Sequence, residues 1–523
     1  MQAFIPDILC EDVRDLCFFY NFVSMKRLIL ILAAFLSVQA AAQNAAQQYI
    51  EQLKGTDELK EAVWGIKAVK LSGATVAEYN SRTRMMPASN MKLITTGLAL
   101  NGLGSDYRFR TGIAYSGDIR DGVLNGDLYI VGGGDPTLGD RDSVAVELRT
   151  TFSEWEKIIR DAGITRIEGR IVGDGRWFDG EPQNWSWMLE DCAAGDGTVM
   201  SALSFGGGLQ SFSVSPGAKA GEPVKVEAVF PETPWMNWAH SATTAPAGTG
   251  DRLFYSTNDL TPTASMTGTL AVDAKQKRIT CANSFGAMTC AFYFYRYLEN
   301  QGIIATEGPA DIDASGCIRD FTGEEGAPLA APGDSLKAIG ETHSLPLLDI
   351  VRHTNAASNN YYAESFLKVL TKEKKGSSGI DACRDMVMSS LKGMGVKDAD
   401  RMQFFDGSGL SRKNYVTPDF FVRFLTAMHS TPEYRNYLST LPQPGRGTLV
   451  SRMASAPESV RARVYMKSGS MNGVRCYSGY ILPSDGREEN IIVFSFLTNN
   501  TVVAASRMNF IIDKTVSLLA AEN

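Results

Sequence analysis

The texture of this sequence changes twice, and that limits what it can fold into. Residues 106–335 are cut by Gly and Asp into short alternating runs such as FRTGIAYSGDI, GVLNGDLYIVGGGDP and ITRIEGRIVGDG, the pattern of a β-rich block. Within it, 215–275 is richer in Pro, Gly, Thr and Ser and reads as a second, smaller β insertion. On either side the chain is largely helical. Residues 43–63 keep apolar positions at 3–4 spacing. Residues 64–79 read as two strands about Ser72-Gly73, and Pro87 opens a helix running to about Leu103. After 335, residues 345–371 carry a helical period broken near Asn355–Asn360, and 378–395 and 417–429 are helical. Strands follow at 461–467, 473–482 and 491–498, and a helix at 502–521 closes the chain. The expectation is an α/β (α+β) protein. Its 523 residues allow about three domains.

Composition excludes several classes. At 44% hydrophobic and 21% charged, the chain is neither disordered nor collagen-like. A net charge of −7 does not suit a nucleic-acid binder. The run 28–38, LILILAAFLSV, follows Met25-Lys26-Arg27 and precedes Ala40-Ala41-Ala42, which predicts a secretory signal peptide cleaved near Ala42. Eleven residues are too few for a membrane span, which needs about 20, so no integral membrane segment is expected after cleavage. Residues 1–24 read as an over-long start ahead of Met25. The mature chain would keep Cys192, Cys281, Cys290, Cys317, Cys383 and Cys476. Six cysteines allow 15 pairings.

Three short motifs carry the chemistry: Ser89-x-x-Lys92, Ser358-x-Asn360 and Lys467-Ser468-Gly469. The first opens a helix, the second interrupts a helical region, and the third is placed at a strand end. Each is weak alone. Their order and context resemble the serine penicillin-recognising enzymes. Positions i and i+3 of a helix share a face, so Lys92 can reach the Ser89 hydroxyl, which needs a base before it can act as a nucleophile. Lysine serves as that base when desolvation and a second cation lower its pKa. The resemblance implies that Lys467 supplies this cation and attracts a substrate carboxylate, with a hydrogen bond from Ser468. Ser358 would relay a proton to the leaving amine, Asn360 would hold the substrate amide, and the N–H groups of Ser89 and Ser470 would form the oxyanion hole.

Longer stretches narrow the likeness. MPASNMKLITTGLAL, YIVGGGDPTL, VMSALSFGGG, NAASNNYYAESFLK, FFDGSGLSRKNYVTP, LPQPGRGTL and MKSGSMNGVRCYSGYI resemble the penicillin-binding protein 4 type of D-alanyl-D-alanine carboxypeptidase/endopeptidase. This resemblance implies a DD-peptidase/β-lactamase-like domain, helices around an antiparallel sheet, built from 43–105 and 336–523. A β-rich domain of 106–214 and 276–335 would be inserted in it, with 215–275 nested inside. Peptidoglycan stem peptides and β-lactams are the implied partners, in the periplasm. Asp196, with Asp191 behind it, is the candidate for the amino end of a diaminopimelate side chain. There are departures: Ser468 stands where the family usually has Thr, Cys476 and Tyr477 where smaller residues are usual, and glycines follow SALS.

Blander readings cover the rest. GGGDP lacks the residues of a phosphate loop and reads as a hairpin. His240, His343, His353 and His429 have no metal-binding spacing, and no cofactor is expected. Cys281 and Cys290 read as buried or paired. Asp406-Gly407-Ser408-Gly409 is a turn that supports the cleft, and Arg475 holds the loop after the third motif. A β-lactamase is the enzyme alternative, but it needs a deacylating Glu, and Glu364 is expected to point elsewhere. A non-catalytic wall-binding protein of the same fold is the other alternative.

Overall fold

A computed structural model describes residues 44–257, 261–312, 317–319, 329–330 and 336–523. The expected signal peptide and residues 1–24 lie outside the described residues. Among those described, no helix is long and apolar enough to cross a membrane.

Helix α1 (Ala45–Lys54) precedes strands β1 (Val63–Lys70) and β2 (Thr75–Tyr79), and helix α2 (Met91–Leu103) follows a short turn at 88–90. Late in the chain come β3 (Val464–Met471), β4 (Val474–Ile481) and β5 (Ile492–Asn499). These strands form one antiparallel sheet in the order β2-β1-β5-β4-β3. Chain ends roughly 400 residues apart in sequence thus share one sheet. All eight residues of β5 are buried, as suits a central strand covered on both faces. Alternation decides which face each residue joins. Trp64, Ile66, Phe494 and Phe496 pack under α1 and the last helix, α6 (Ala505–Ala521). Val493, Leu497 and Cys476 pack under α2 and its neighbours.

Those neighbours include α3 (Leu347–Ala357), α4 (Asn360–Lys375) and α5 (Pro418–His429). The break expected near 355–360 is sharp. Ser358 takes a left-handed conformation (φ 61°) and ends α3, and the Asn359 side chain accepts from Tyr362 N at 3.0 Å to start α4. The first helix is shorter than its apolar spacing predicts. Gly55 ends it, and residues 55–62 run in turns.

The block between the motifs holds a seven-stranded mixed sheet made from Arg110–Tyr115, Leu128–Gly132, Arg170–Asp174, Gly308–Ile312, Cys317–Arg319, Leu329–Ala330 and Lys337–His343. The last of these lies past 335, and His343 ends it, not a helix. Its residues are mostly exposed, which hid the strand alternation. Helices Leu148–Asp161 and Leu189–Ala194 interrupt the expected β texture, and the aromatic stretch 291–300 lies in a third, Gly286–Asn300, as a helix face packed on core. Two of them cover one sheet face, where Ile113, Ile130 and Ile171 meet Phe152, Trp155, Phe294 and Leu298. Cys290 is buried in that layer. The alternate residues Ala114, Tyr129 and Val172 line the other face.

Residues 209–282 form two small sheets joined by Phe212, Val214, Met266, Leu270 and Cys281. Strands Leu209–Ser215 and Lys277–Ala282 pair with each other, so this unit reaches beyond 215–275 at both ends.

Trp155 is fully buried, packs edge-on to Phe294 at 5.1 Å and donates from Nε1 to Thr342 Oγ1 at 2.8 Å. Trp155→Ala is expected to destabilise this layer by about 3–5 kcal/mol. The check is loss of near-ultraviolet aromatic dichroism at lower urea than wild type; an unmoved transition contradicts the assigned packing.

Candidate active site

Strand β3 runs so close to the turn before α2 that only glycine fits at their crossing. A Cβ on Gly469 would lie 2.7 Å from Pro87 O and 3.0 Å from Ser89 N. A Cβ on Gly409 (φ +84°) would lie 1.9 Å from Ala88 O on another side. Squeezed between them, Ala88 takes φ +47°, a left-handed conformation that strains a residue with a side chain. Asn90 anchors the turn by donating from Nδ2 to Ser478 Oγ at 2.8 Å. Ser89 is left half-buried at the head of α2.

Lys92 sits one helical turn on and is fully buried. Its Nζ lies 3.0 Å from Ser89 Oγ, 2.6 Å from Asn360 Oδ1 and 2.8 Å from the Ser408 carbonyl. A neutral amine has two N–H donors and one lone pair. Two donors can therefore serve Asn360 and Ser408 while the lone pair faces the serine hydroxyl. Burial lowers the Lys92 pKa from 10.5 to about 8, and the negative charges of Asp406, Glu364 and Asp196 oppose that fall.

Lys467 is also fully buried. It donates to Ser358 Oγ at 3.0 Å and to the Ser468 carbonyl at 2.8 Å. Burial, and then the nearby Lys92 charge, hold it well below the ordinary lysine range. The third motif lies in the middle of β3, not at its end. Ser468 Oγ donates to Thr448 Oγ1 at 3.1 Å, and Ser470 is exposed beside it. Five expected side chains thus converge: Ser89, Lys92, Ser358, Asn360 and Lys467.

Asp196 joins them through its backbone. Its carbonyl accepts from Asn360 Nδ2 at 3.0 Å, while the residue is exposed. Asp191 is half-buried. Burial and the Asp196 charge raise its pKa, against Arg412. Cys476 lies on the cleft side of the sheet, with Sγ 3.5 Å from Met86 O. Tyr477 points to the opposite face and does not line the site floor. Arg475 donates to the Met471 and Val474 carbonyls, closing the loop after β3.

The support under Lys92 is what the motifs do not spell out. Asp406 is buried, and its carboxylate accepts from Gly409 N, Ser411 N, Asn414 Nδ2 and Trp187 Nε1 at 2.5–2.8 Å. Glu364 faces this loop, contrary to expectation: it accepts from Ser408 N at 2.7 Å and Gly407 N at 3.2 Å. Burial, with the like charge of Asp406, pushes it up to about 7. Together these carboxylates hold the Ser408 carbonyl against Lys92. The DGSG turn was a visible signal for Asp406. A backbone carbonyl and a helical Glu left none. Among the described residues, no group of three or more His, Cys, Asp and Glu is placed to hold a metal ion.

Residues 46–522 match the model of the D-Ala-D-Ala carboxypeptidase 3 (S13) family. The chain belongs to that family. It is 31% identical over 485 residues to a D-alanyl-D-alanine carboxypeptidase of Actinomadura sp. (strain R39), covering 89% of this chain and 83% of that one. It is 24% identical over 424 residues to the D-alanyl-D-alanine carboxypeptidase DacB of Haemophilus influenzae, covering 80% and 82%. The fold matches the crystal structure of penicillin binding protein 4 (dacB) from Haemophilus influenzae with a TM-score of 0.74 at 20% identity, over 91% of this chain and 99% of that one. The expected family and its DD-peptidase fold with added β-rich parts are thereby established, and the enzyme class is D-Ala-D-Ala carboxypeptidase.

The electrostatics give a sign that can be measured. Lys92 should titrate near 8 when followed by NMR of ε-¹³C-labelled lysine. Asp196 favours the charged amine, so Asp196→Asn should move that titration to lower pH. A shift upward, or a Lys92 titrating near 10.5, contradicts this reading.

Proposed function

We propose that this S13 enzyme is an exported, periplasmic hydrolase of peptidoglycan stem peptides that works through an acyl-enzyme on Ser89. The observation that carries the proposal is the placing of Lys92 Nζ 3.0 Å from Ser89 Oγ, 2.6 Å from Asn360 Oδ1 and 2.8 Å from the Ser408 carbonyl, so that its neutral form can turn its lone pair to the serine. Lys92 takes the Ser89 proton as Oγ attacks the carbonyl of the penultimate D-Ala, or of a D-Ala–diaminopimelate cross-link. The N–H groups of Ser89 and Ser470 receive the oxyanion. As the C–N bond breaks, the leaving amine takes a proton through Ser358, which Lys467 contacts. Water then cleaves the ester, with the proton path reversed.

Lys467, Ser468 and the neighbouring Thr448 hydroxyl form the pole for the substrate carboxylate. Ser468 thus gives the hydroxyl that the usual Thr would. Asn360 holds the substrate amide, and Asp196 faces the amino end of a diaminopimelate side chain. β-Lactams, which mimic acyl-D-Ala-D-Ala, acylate the same oxygen.

Glu364 bears on the β-lactamase alternative. Its carboxylate oxygens are occupied by the N–H groups of Gly407 and Ser408, so it supports the lysine and does not deliver water to an ester on Ser89.

Fluorescent penicillin should label the wild-type protein covalently and leave Ser89→Ala unlabelled; an equal label on the variant defeats the proposal. The acylation rate should rise with pH as Lys92 loses its proton and level off above about 8, because only the free amine accepts the hydroxyl proton. Gly469→Ala should slow acylation by at least about a hundredfold, since a displaced oxyanion donor alone costs that much, and should lower the melting temperature as well, because its Cβ would meet the Pro87 carbonyl at 2.7 Å.

A further inference from the structure

Away from the cleft, a concavity of about 240 Å³ opens on the far side of the turn that leads into Ser89. Its walls come from Arg82 and Arg84, from the 398–402 turn with Asp398, Arg401 and Met402, and from the first turns of α5 with Thr417, Asp419, Phe420 and Arg423. Four guanidinium groups therefore surround one small space that holds two carboxylates, in a chain whose net charge is −7.

Both carboxylates are already taken. Arg423 lies 2.8 Å from Asp398 and 2.6 Å from Asp419. Arg401 reaches Asp398 only at 3.6 Å. Arg84 spends its Nε on the Arg401 carbonyl at 2.9 Å and pairs with no carboxylate among the described residues. Arg82 makes no hydrogen bond or ion pair with a described residue, although its charge helps hold Asp398 ionised. Gathering unmatched cations on one wall raises the free energy of the folded chain unless an anion joins them.

We propose that this concavity binds a tetrahedral oxyanion of the phosphate-ester class. A planar carboxylate is satisfied by one guanidinium fork, whereas Arg82, Arg84 and Arg401 bring three guanidinium groups to one space, which suits an anion with three or more oxygens. The volume is below the roughly 300–1,000 Å³ of drug-sized ligand sites, and so admits a phosphate with its first ester substituent but not a large ligand. Buried Met402 and Phe420 form an apolar floor that fixes the depth of entry. The site is tied to the catalytic turn: Met85, next to Arg84, bonds with Val416 in both directions at 2.9 and 3.0 Å, and Asp419 N donates to Ser81 O at 2.9 Å.

The test is titration calorimetry of the full mature chain with inorganic phosphate at constant ionic strength, with acetate as the planar control. Phosphate should bind and acetate should not. Arg82→Gln should weaken phosphate binding, and Arg82→Gln/Arg84→Gln should weaken it at least about tenfold, because each removes a charge-assisted fork. Penicillin labelling of Ser89 should be unchanged in both, which shows that the variants are folded. Equal heats for phosphate and acetate, or phosphate binding unaffected by the double variant, overturn the proposal. Sedimentation with phosphatidylglycerol vesicles, against phosphatidylcholine vesicles, separates the sources. Arginine-dependent pelleting assigns a lipid headgroup; phosphate binding without pelleting assigns a soluble phosphate ester.

Discussion

Everything at the cleft depends on keeping one lysine out of water. An amine with no solvent contact must find its partners in the protein, and an unmatched one is expensive. Lys92 finds three: a hydroxyl in the turn that leads into its own helix, an amide at the start of α4, and a carbonyl in the loop after residue 405. Each comes from a separate stretch of chain. The helix that carries Lys92, the break between α3 and α4, and the loop pinned by Asp406 are thus fixed relative to one another by a single nitrogen. The second buried lysine, on β3, ties the sheet to the same break through Ser358.

The inserted layers join this arrangement and are not appended to it. Trp187 donates to Asp406, and Asp196 accepts from Asn360. One strap of the insertion thus touches both the base of the catalytic loop and the amide at its rim. Ser365 of α4 likewise donates to the Gly134 carbonyl, and Tyr362 to Asp140, so the GGGDP segment, which leads to helix Leu148–Asp161 and not into the expected hairpin, is clamped to the helix that follows the second motif. A glycine-rich turn that offered no chemistry by its sequence is part of what holds α4 in place.

Much of this was legible beforehand, and for identifiable reasons. The helix that opens at Pro87, the break at Ser358–Asn359 and the three closing strands all show in local pattern, because caps and alternation are local devices. The five side chains that converge at the cleft were legible because their motifs carry residue types with that chemistry. What escaped was non-local or had no side-chain signature. The Ser408 carbonyl has none. Glu364 sits on a helix whose orientation the spacing alone did not settle, and it was read as facing away. Which of Cys476 and Tyr477 faces the cleft was not legible either, because that face is decided by pairing with β5. Strand Lys337–His343 was missed because its residues are mostly exposed and carry no apolar alternation.

The bond between Asn360 and residue 196 is made through a main-chain oxygen. Any amino acid but its neighbours' geometry leaves that oxygen in place, so the side chain at 196 is released from the task of holding Asn360. It can be exchanged for a neutral, longer or oppositely charged group, and the amide on α4 keeps its anchor. The exchange is still felt below the rim, because the Asp196 charge favours the protonated Lys92 amine. The position of the rim and its charge are thus set by different atoms of one residue, and only the charge reaches the buried amine.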